Sequence, residues 1–333
     1  MTKCGFVAVV GAPNAGKSTL INDLVGSKVT IVSPKVQTTR NRILGVALEG
    51  ETQLILVDTP GIFSTPKRRL EKAMVHSAWD SLSDADGIMV IVDVSRKTFE
   101  DTEAILERIE RSFPSPSSRA LKEGVAIHKA TKKMDCHVAS APRNDEGAKV
   151  VVVLNKIDLI SRDNLLGLAQ RFSTPFIDQI FMISALKGDG TKDIKDYWET
   201  QLPEGPWLFP EDQLSDLSER LLAAEITREE IFLRLHEELP YAIWVETESW
   251  EEFKNGSVKI NQSIYVQRES QRAIVLGHGG SQIKAIGAAA RRQLIAILER
   301  PVHLFLQVKV KANWMDNPRL YASIGLDFKK GGS

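Results

Sequence analysis

The sequence of 333 residues contains only two cysteines, Cys4 and Cys136, and its formal net charge is zero. Two cysteines without metal-ligand spacing predict neither a disulfide framework nor a cysteine-based metal site, which is typical of a reducing compartment. No apolar run has transmembrane length. We also expect no signal segment, because the first predicted strand begins within a few residues of Met1. These absences predict a cytoplasmic protein.

The composition is that of a globular chain, with 43% hydrophobic and 26% charged residues. A chain of this length is large enough for two hydrophobic cores, so we expect two domains. Since the total charge is zero, any surface for nucleic acid must come from charges that are segregated along the chain.

The most informative stretch is a glycine-rich loop, residues 11–18, which reads GAPNAGKS. An apolar run precedes it, and a helical pattern begins at Thr19. A strand, a glycine-rich turn and a helix start together present backbone N–H groups and a helix dipole to an anion. In such a phosphate loop Lys17 reaches the β- and γ-phosphates of a nucleotide, and the Ser18 hydroxyl ligates Mg²⁺.

Two later stretches predict the switch loops of a GTPase. Residues 28–41 form a polar loop, the first switch, in which Thr38 or Thr39 can complete the Mg²⁺ shell only while a γ-phosphate holds the loop closed. A buried strand then ends in the letters DTPG. There Asp58 would hold Mg²⁺ through water, and the N–H of Gly61 would meet the γ-phosphate.

The motif NKID, which begins at Asn155, follows another apolar strand and predicts guanine recognition. The Asp158 carboxylate can accept from N1–H and the exocyclic amine of guanine, whereas the unprotonated N1 of adenine would leave it unpaired. The Asn155 amide can bond the N7 edge, the Lys156 stem can lie over the ring, and an N–H in the turn 184–186, that of Ala185, can meet O6. Four motifs in order, each at the C-terminal end of a strand, indicate a GTP site.

The expected bound groups are therefore GTP or GDP and Mg²⁺. The candidate cofactor-binding residues are Gly11, Asn14, Ala15, Gly16, Lys17, Ser18, Thr19, Asp58, Asn155, Lys156, Asp158, Ser184, Ala185 and Leu186. The candidate metal ligands are Ser18, Thr39 and Asp58. The candidate catalytic residues are Lys17, Thr38, Thr39 and Gly61.

Charge is segregated in the second half of the chain. Residues 211–252 carry thirteen acidic side chains and three arginines, whereas residues 254–311 carry ten lysines or arginines and two acidic side chains. Net charges of −10 and +8 follow from these counts. The basic stretch predicts a surface that attracts nucleic acid.

Within the basic stretch, residues 274–276 read as a strand that leads into the loop GHGG of residues 277–280, and a predicted helix follows. Glycines at both ends of a four-residue turn let N–H groups approach RNA phosphates, as in the GXXG loop of KH modules. Residues 301–311 alternate like a final strand. The candidate RNA-binding residues are Gly277, His278, Gly279, Gly280, Lys284, Arg291 and Arg292.

These patterns predict an α/β fold in two domains. We expect a P-loop GTPase domain with a mostly parallel sheet at residues 1–202, interrupted by an irregular insertion at 113–148. A linker at 203–217 would join it to a small α+β KH (type II) RNA-binding domain and C-terminal tail at 218–333.

The assembled motifs resemble the Era-type ribosome-assembly GTPases, in which a GTPase domain of the TrmE–Era type precedes a KH domain. The resemblance rests on GAPNAGKS, QTTR at 37–40, DTPG and NKID, and in the second domain on ELPY at 238–241 and GHGGSQIKAIG at 277–287. It implies a GTP-hydrolysing switch that binds the 3′ end of small-subunit (16S) rRNA and assists 30S assembly. It also implies peripheral association with the inner face of the cell membrane. The sequence identifies no protein partner.

Three features refine or depart from this resemblance. Ile62 occupies the position of the glutamine that orients the attacking water in Ras-type proteins, so hydrolysis should be slow and depend on another group, a monovalent cation or a partner. Asn14 lies where potassium-dependent relatives hold K⁺, so we expect stimulation by K⁺ over Na⁺. His278 and Gly279 stand where family members carry a lysine at one of the two positions. If His278 contacts RNA, binding becomes pH-dependent.

Two other functions compete with this interpretation. A GTPase of tRNA modification would need a helical partner domain with a C-terminal cysteine, and no cysteine follows Cys136. An RNA chaperone could hold GTP as a structural ligand with little turnover. Turnover that depends on Lys17 would exclude the chaperone.

Overall fold

The computed structural model describes residues 1–35, 38–40, 42–62, 69–112, 148–235 and 239–312, with Trp314, Pro318 and Leu326. The first part of the chain forms β1 (Lys3–Gly11), α1 (Lys17–Val25), β2 (Ile43–Glu49), β3 (Thr52–Asp58), α2 (Arg69–Ser83), β4 (Gly87–Asp93), α3 (Glu100–Ser112), β5 (Lys149–Asn155), α4 (Arg162–Phe172), β6 (Gln179–Ile183) and α5 (Thr191–Gln201). The second part forms α6 (Glu219–Arg234), β7 (Trp244–Glu252), β8 (Val258–Val266), α7 (Glu269–Leu276), α8 (Ser281–Leu298) and β9 (Val302–Val310). Apart from residue 148, the predicted insertion lies outside the described residues.

The first six strands form one sheet in the order β2-β3-β1-β4-β5-β6. All neighbours are parallel except β2 and β3, which are antiparallel. Residues 7–10, 88–92 and 151–154 are buried on both faces of this sheet, which explains why their strands read as continuous apolar runs. The predicted α/β class with a mostly parallel sheet is confirmed.

Helices cover both faces of the sheet. Helices α1 and α5 pack on one face through Leu20 and Trp198, and α2, α3 and α4 pack on the other through Leu82, Ile109 and Phe172. Because strands β3, β1, β4, β5 and β6 are parallel, their C-terminal ends lie at one edge of the sheet. Ligands of open α/β sheets bind at that edge, and the predicted motifs all follow strands that end there.

The segment predicted as a linker, residues 203–217, runs along the edge of the sheet. The N–H of Val46 donates to the Leu214 carbonyl at 2.9 Å, and the N–H of Leu44 donates to Asp216 at 2.9 Å. The buried Gln53 side chain donates to the Phe209 carbonyl at 2.9 Å. The segment therefore covers the exposed hydrogen-bonding groups of the edge strand β2, and it is packed rather than free.

The second sheet has the order β7-β8-β9, with β7 antiparallel and β9 parallel to β8. Helices α6, α7 and α8 share a core with it that includes Ile231, Ile264, Val275 and Ile286. The prediction of a strand at residues 274–276 is wrong, because these residues end helix α7. At the start of that helix the Arg268 N–H donates to the Gln271 side chain at 3.2 Å. A three-residue apolar run does not distinguish a strand from the end of a short helix.

Helix α6 lies between the two parts of the chain and contacts both. All residues from 223 to 232 are buried, although four of them are charged. A helix that is buried on all sides has partners all round, and here they come from the first switch loop and from the second sheet.

Among the described residues, no helix is long and apolar enough to cross a membrane.

Candidate nucleotide site and RNA-binding surface

The glycine-rich loop connects β1 to α1 and adopts backbone angles that few side chains accept. Asn14 and Gly16 have φ of 62° and 97°. The buried Lys17 ammonium donates to the carbonyls of Gly11 and Ala12, both at 3.1 Å. Burial lowers the pKa of Lys17 to about 8. The two carbonyl dipoles stabilise this desolvated cation only partly, and a negatively charged phosphate bound beside it would stabilise it further.

Three predicted metal ligands converge at the start of α1. The Ser18 hydroxyl lies 2.9 Å from Asp58 Oδ2 and 3.0 Å from the Thr39 hydroxyl, which itself donates to Asp58 Oδ2 at 3.2 Å. Burial raises the pKa of Asp58 to about 6, and its buried Oδ1 has no hydrogen-bond partner among the described residues. Three oxygens and an unpartnered buried carboxylate oxygen fit a hard cation such as Mg²⁺.

The two switch threonines have different hydrogen-bond partners. Only Thr39 lies at the metal-ligand cluster. The Thr38 hydroxyl donates to the Lys35 carbonyl at 2.7 Å, so its side chain is bonded within the loop. The Thr39 hydroxyl therefore lies with the other two predicted metal ligands, and a catalytic role for Thr38 stays a prediction.

Gly61 lies directly against the phosphate loop. A Cβ atom added to Gly61 would meet Pro13 Cα at 3.0 Å, and the next N–H, of Ile62, donates to the Gly11 carbonyl at 3.3 Å. The Ile62 side chain is 6% exposed and packs in the hydrophobic core, where it cannot approach an attacking water. Residues 63–67 of the predicted second switch loop lie outside the described residues.

The NKID motif is bound to the phosphate loop by its first two side chains. Asn155 Nδ2 donates to the Ala15 carbonyl at 2.8 Å, which leaves its second N–H for the N7 edge of a purine. Lys156 Nζ donates to the Asn14 carbonyl at 2.9 Å. The N–H of Ala185, predicted to meet guanine O6, donates instead to Asn155 Oδ1 at 3.0 Å. In this geometry O6 can only share that N–H.

The remaining predicted site residues lie around the same edge of the sheet. Asp158 is 3.6 Å from the Lys187 ammonium. The Ser184 N–H donates to the Asp189 carbonyl at 3.0 Å, and Leu186 is 82% exposed. Thr19 lies in the first turn of α1 and is partly buried.

Asp93 and Arg96 belong to the site, although the sequence interpretation gave them no role. Asp93 Oδ2 lies 2.6 Å from Lys156 Nζ, and Arg96 donates to the carbonyl of Pro13. The two residues therefore connect the NKID motif to the phosphate loop. A signal was present, because Asp93 ends an apolar strand as Asp58 does, and carboxylates at that edge of a parallel sheet face the ligand site.

The GHGG loop lies between α7 and α8 and has three glycines at positive φ: 70° at Gly277, 58° at Gly279 and 76° at Gly280. A Cβ on Gly277 would meet Gln282 Cβ at 2.8 Å, whereas nothing lies within 4 Å of one on Gly279 or Gly280. The first glycine is thus needed for packing, and the other two leave the backbone open to a ligand. His278 is exposed beside them.

The three basic candidates lie on α8. Lys284, Arg291 and Arg292 are exposed. Because Lys284 and Arg291 are seven residues apart, they lie on one face of the helix, two turns from each other. The GHGG loop and this face of α8 form one basic surface, which we call the GHGG surface.

The fold and the site define a P-loop GTPase joined to a KH domain. Residues 6–122 match the family described as 50S ribosome-binding GTPase, and residues 238–315 match the KH domain family. The chain is 52% identical to GTPase Era of Brucella suis biovar 1 (strain 1330), over 98% of this chain and 94% of that protein. It is 51% identical to GTPase Era of Afipia carboxidovorans (strain ATCC 49405 / DSM 1227 / KCTC 32145 / OM5), over 99% and 96%. The chain belongs to the Era family of GTPases.

Two solved structures are similar over nearly the whole chain. One is Era in complex with MgGDPNP and nucleotides 1506–1542 of 16S ribosomal RNA, with a TM-score of 0.80 and 37% identity over 98% of this chain and 99% of that one. The other is a variant of Aquifex aeolicus Era bound to GDP.AlF4⁻, with a TM-score of 0.79 and 37% identity over 97% and 99%.

Proposed function

We propose that this chain is a GTP-hydrolysing switch that binds the 3′ end of small-subunit ribosomal RNA and assists assembly of the 30S subunit. The observation that carries the proposal is the convergence of Thr39, from the first switch loop, on Ser18 and Asp58. The likeness to Era solved with MgGDPNP and nucleotides 1506–1542 of 16S ribosomal RNA supports both ligands.

Each part of the site has a separate task in this proposal. The N–H groups of the phosphate loop and Lys17 hold the phosphates, while Asn155 and Asp158 select guanine. Mg²⁺, held by Ser18, Thr39 and Asp58, would neutralise charge on the transferred phosphoryl group. Thr39 responds to the γ-phosphate because its contact with the other two ligands depends on the first switch loop being closed.

A monovalent cation is proposed to assist hydrolysis. The buried, apolar Ile62 stands at the position of the water-orienting glutamine and cannot itself orient a water. Asn14 Nδ2 lies 2.7 Å from the Pro34 carbonyl oxygen of the first switch loop. Because Nδ2 is the donor in this contact, Asn14 Oδ1 is the atom proposed to coordinate K⁺, as carbonyl oxygens do when they replace its hydration shell.

The proposed switch controls the GHGG surface through direct contacts between the two domains. The buried Arg40, in the first switch loop, donates to the Ile243 carbonyl at 2.8 Å. Lys28 Nζ, at the start of the same loop, donates to Gln293 of α8 at 2.6 Å. Helix α2, after the second switch loop, shares a hydrophobic cluster with Trp244 and Trp314. A change in either switch loop therefore strains contacts that also hold the RNA-binding domain.

We propose a cytoplasmic location, with peripheral contact at the inner face of the cell membrane as the family resemblance implies. No protein partner is proposed. The RNA partner and the 30S subunit are proposed from the basic GHGG surface together with the KH match at residues 238–315.

The test is GTP turnover in KCl, with and without an RNA copy of the small-subunit rRNA 3′ end, beside filter binding of that RNA in GTP and in GDP. We expect RNA to stimulate turnover and GTP to change RNA affinity. Lys17→Ala should have no turnover. If the rate of GTP turnover is the same with and without RNA, and RNA affinity is the same in GTP and in GDP, the two domains are independent modules and the switch is refuted. Turnover that persists in Lys17→Ala would refute the assigned site.

A further inference from the structure

Helix α6 carries an arginine in an unusual position. The Arg228 side chain carries a charge, but it is only 2% exposed because it is buried between the two domains. Its guanidinium forms a two-point ion pair with Glu225 of the same helix and lies over the Phe232 ring at 5.3 Å. A desolvated guanidinium is costly unless its N–H groups find acceptors. Here Nε and Nη2 have acceptors, whereas Nη1 has none among the described residues.

One of those acceptors belongs to the first switch loop. Arg228 Nη2 donates to the backbone carbonyl of Thr38 at 2.5 Å. Since this donor is charged and buried, the hydrogen bond is stronger than one between neutral groups. The contact is made by a residue outside the GTPase domain, on the backbone next to the metal-ligand cluster.

The position of the Thr38 carbonyl determines the position of Thr39. The carbonyl of Thr38 and the N–H and Cα of Thr39 lie in one peptide plane, so fixing the carbonyl restricts where the Thr39 side chain starts. From that position the Thr39 hydroxyl lies 3.2 Å from Asp58 and 3.0 Å from Ser18. Arg228 is therefore one residue removed from a metal ligand.

Helix α6 also holds the earlier part of the same loop. The carboxylate of Glu229 accepts from the Val32 N–H at 2.8 Å and from Lys28 Nζ at 2.5 Å. The first switch loop is thus attached to α6 at both ends of its described part. Of these attachments, the one by Arg228 is nearest to Thr39, since it is made to the carbonyl of the preceding residue.

We propose that Arg228 is a positioning residue for the GTP-bound state, acting through the Thr38 carbonyl to place Thr39 at the metal. This inference rests on the proposed GTPase function. It predicts a difference between nucleotides. Binding of GDP needs the phosphate loop and the guanine site, whereas binding of GTP also uses the closed first switch loop. Loss of Arg228 should weaken GTP binding selectively.

The test uses the full chain with Glu225→Gln and Arg228→Gln combined, so that no buried charge is left unpaired. Dissociation constants are measured for GDP and for the GTP analogue GDPNP, both with Mg²⁺. We expect the GDPNP constant to rise about tenfold and the GDP constant to change by less than about twofold, since a hydrogen bond from a charged donor is lost only in the GTP state. Equal weakening of both nucleotides, or no change for GDPNP, would overturn the proposal.

Arg220→Gln is the matched control. Arg220 lies on the same helix and also donates to backbone carbonyls, those of Thr247 and Glu248, at 3.1 and 3.0 Å. Because these carbonyls belong to β7 and not to the switch loop, the ratio of GDPNP to GDP constants should stay at the wild-type value. A similar shift of the ratio in this control would also overturn the proposal.

A second variant, Arg228→Lys, tests the proposal if the double variant does not fold. Arg228→Lys keeps the charge beside Glu225 but lacks the planar fork that serves Glu225 and the Thr38 carbonyl together. It should give a selective loss for GDPNP of about threefold. GTP turnover by the wild-type protein distinguishes failure of the proposed GTPase function from failure of the role of Arg228. If the wild type does not hydrolyse GTP, the GTPase function is refuted, whereas the ratio of the GDPNP and GDP dissociation constants still tests the role of Arg228.

Discussion

Gly16 and Asn155 lie so close together that a Cβ atom on Gly16 would meet Asn155 Nδ2 at 2.2 Å. Gly16 also has φ of 97°, which strains any other residue. The phosphate loop and the guanine-reading motif therefore touch at a glycine. Gly16→Ala should displace Asn155 and lower GDP affinity by about 100-fold or more, because steric overlap adds to backbone strain of about 1–3 kcal/mol.

Gly26→Ala at the other end of α1 is the control for this prediction. Its φ is also positive, at 75°, but nothing lies within 4 Å of an added Cβ. We expect a loss of stability of about 1 kcal/mol with unchanged GDP affinity. Binding of GDP by Gly16→Ala at the wild-type level would show that Asn155 does not need its present position.

Asp158→Asn should change the base that the site accepts. The variant loses two hydrogen bonds to a carboxylate, so GTP affinity should fall by about 10³-fold. The new amide N–H can instead donate to the C2 carbonyl of xanthine, and xanthosine triphosphate should bind more tightly than GTP. Competition against a fluorescent nucleotide measures the affinities for GTP and for xanthosine triphosphate. ATP is the negative control and should not bind. Tighter binding of ATP than of xanthosine triphosphate would contradict the assignment of Asp158 to the N1 and amine edge.

The sequence predicted the α/β GTPase fold well because its elements are strongly patterned. Residues 7–10 and 151–154 are buried on both faces and read as continuous apolar runs, and the motifs follow directly at the ends of those strands. The site residues of the phosphate loop are close in sequence, so their spacing alone indicated a phosphate cradle.

Other parts depended on contacts between distant segments, which a local pattern does not contain. The hydrogen bond from Arg228 to the Thr38 carbonyl, for example, joins residues 190 positions apart. The packing of residues 203–217 along β2 depends on an edge strand that periodicity cannot identify. The failed strand prediction at 274–276 reflects a run too short for its period to be read.

Replacing NaCl by KCl should raise GTP turnover several-fold. Asn14 Nδ2 donates to the Pro34 carbonyl, and we propose that Asn14 Oδ1 supplies a ligand to K⁺ beside the phosphate loop. Asn14→Gly removes the side chain while accepting the φ of 62°, so its turnover should not distinguish the two salts. Equal wild-type rates in KCl and NaCl would refute the K⁺ site.

The GHGG surface should bind RNA with a strong dependence on salt. Lys284→Gln combined with Arg291→Gln should make the slope of log K against log salt less steep by about 1.4, since each lost phosphate contact on single-stranded RNA contributes about 0.7. The control is Arg300→Gln, whose guanidinium already pairs with Glu219 and Glu252. Should the control and the double variant give the same slope, the RNA lies elsewhere.

The buried metal ligand Asp58 should give the nucleotide-free and metal-free protein a distinctive dependence on pH. Burial raises the pKa of this carboxyl from 3.8 to about 6. Between these values the native state keeps a proton that the unfolded state releases, so the contribution of Asp58 to stability falls as the pH rises. Lys17, with a pKa of about 8, stays charged over this interval and adds no slope.

Comparison with Asp58→Asn isolates this effect from the other carboxylates. From pH 4 to pH 7, the free energy of unfolding of wild type should fall relative to that of the variant by up to about 3 kcal/mol, measured by urea denaturation in EDTA. A relative rise would mean that the carboxylate is stabilised in its charged form. Adding Mg²⁺ and GDP gives the charged Asp58 carboxylate a partner in the native state. The difference between wild type and variant in the pH dependence of the unfolding free energy should then become smaller, as expected for a carboxylate that belongs to a ligand site.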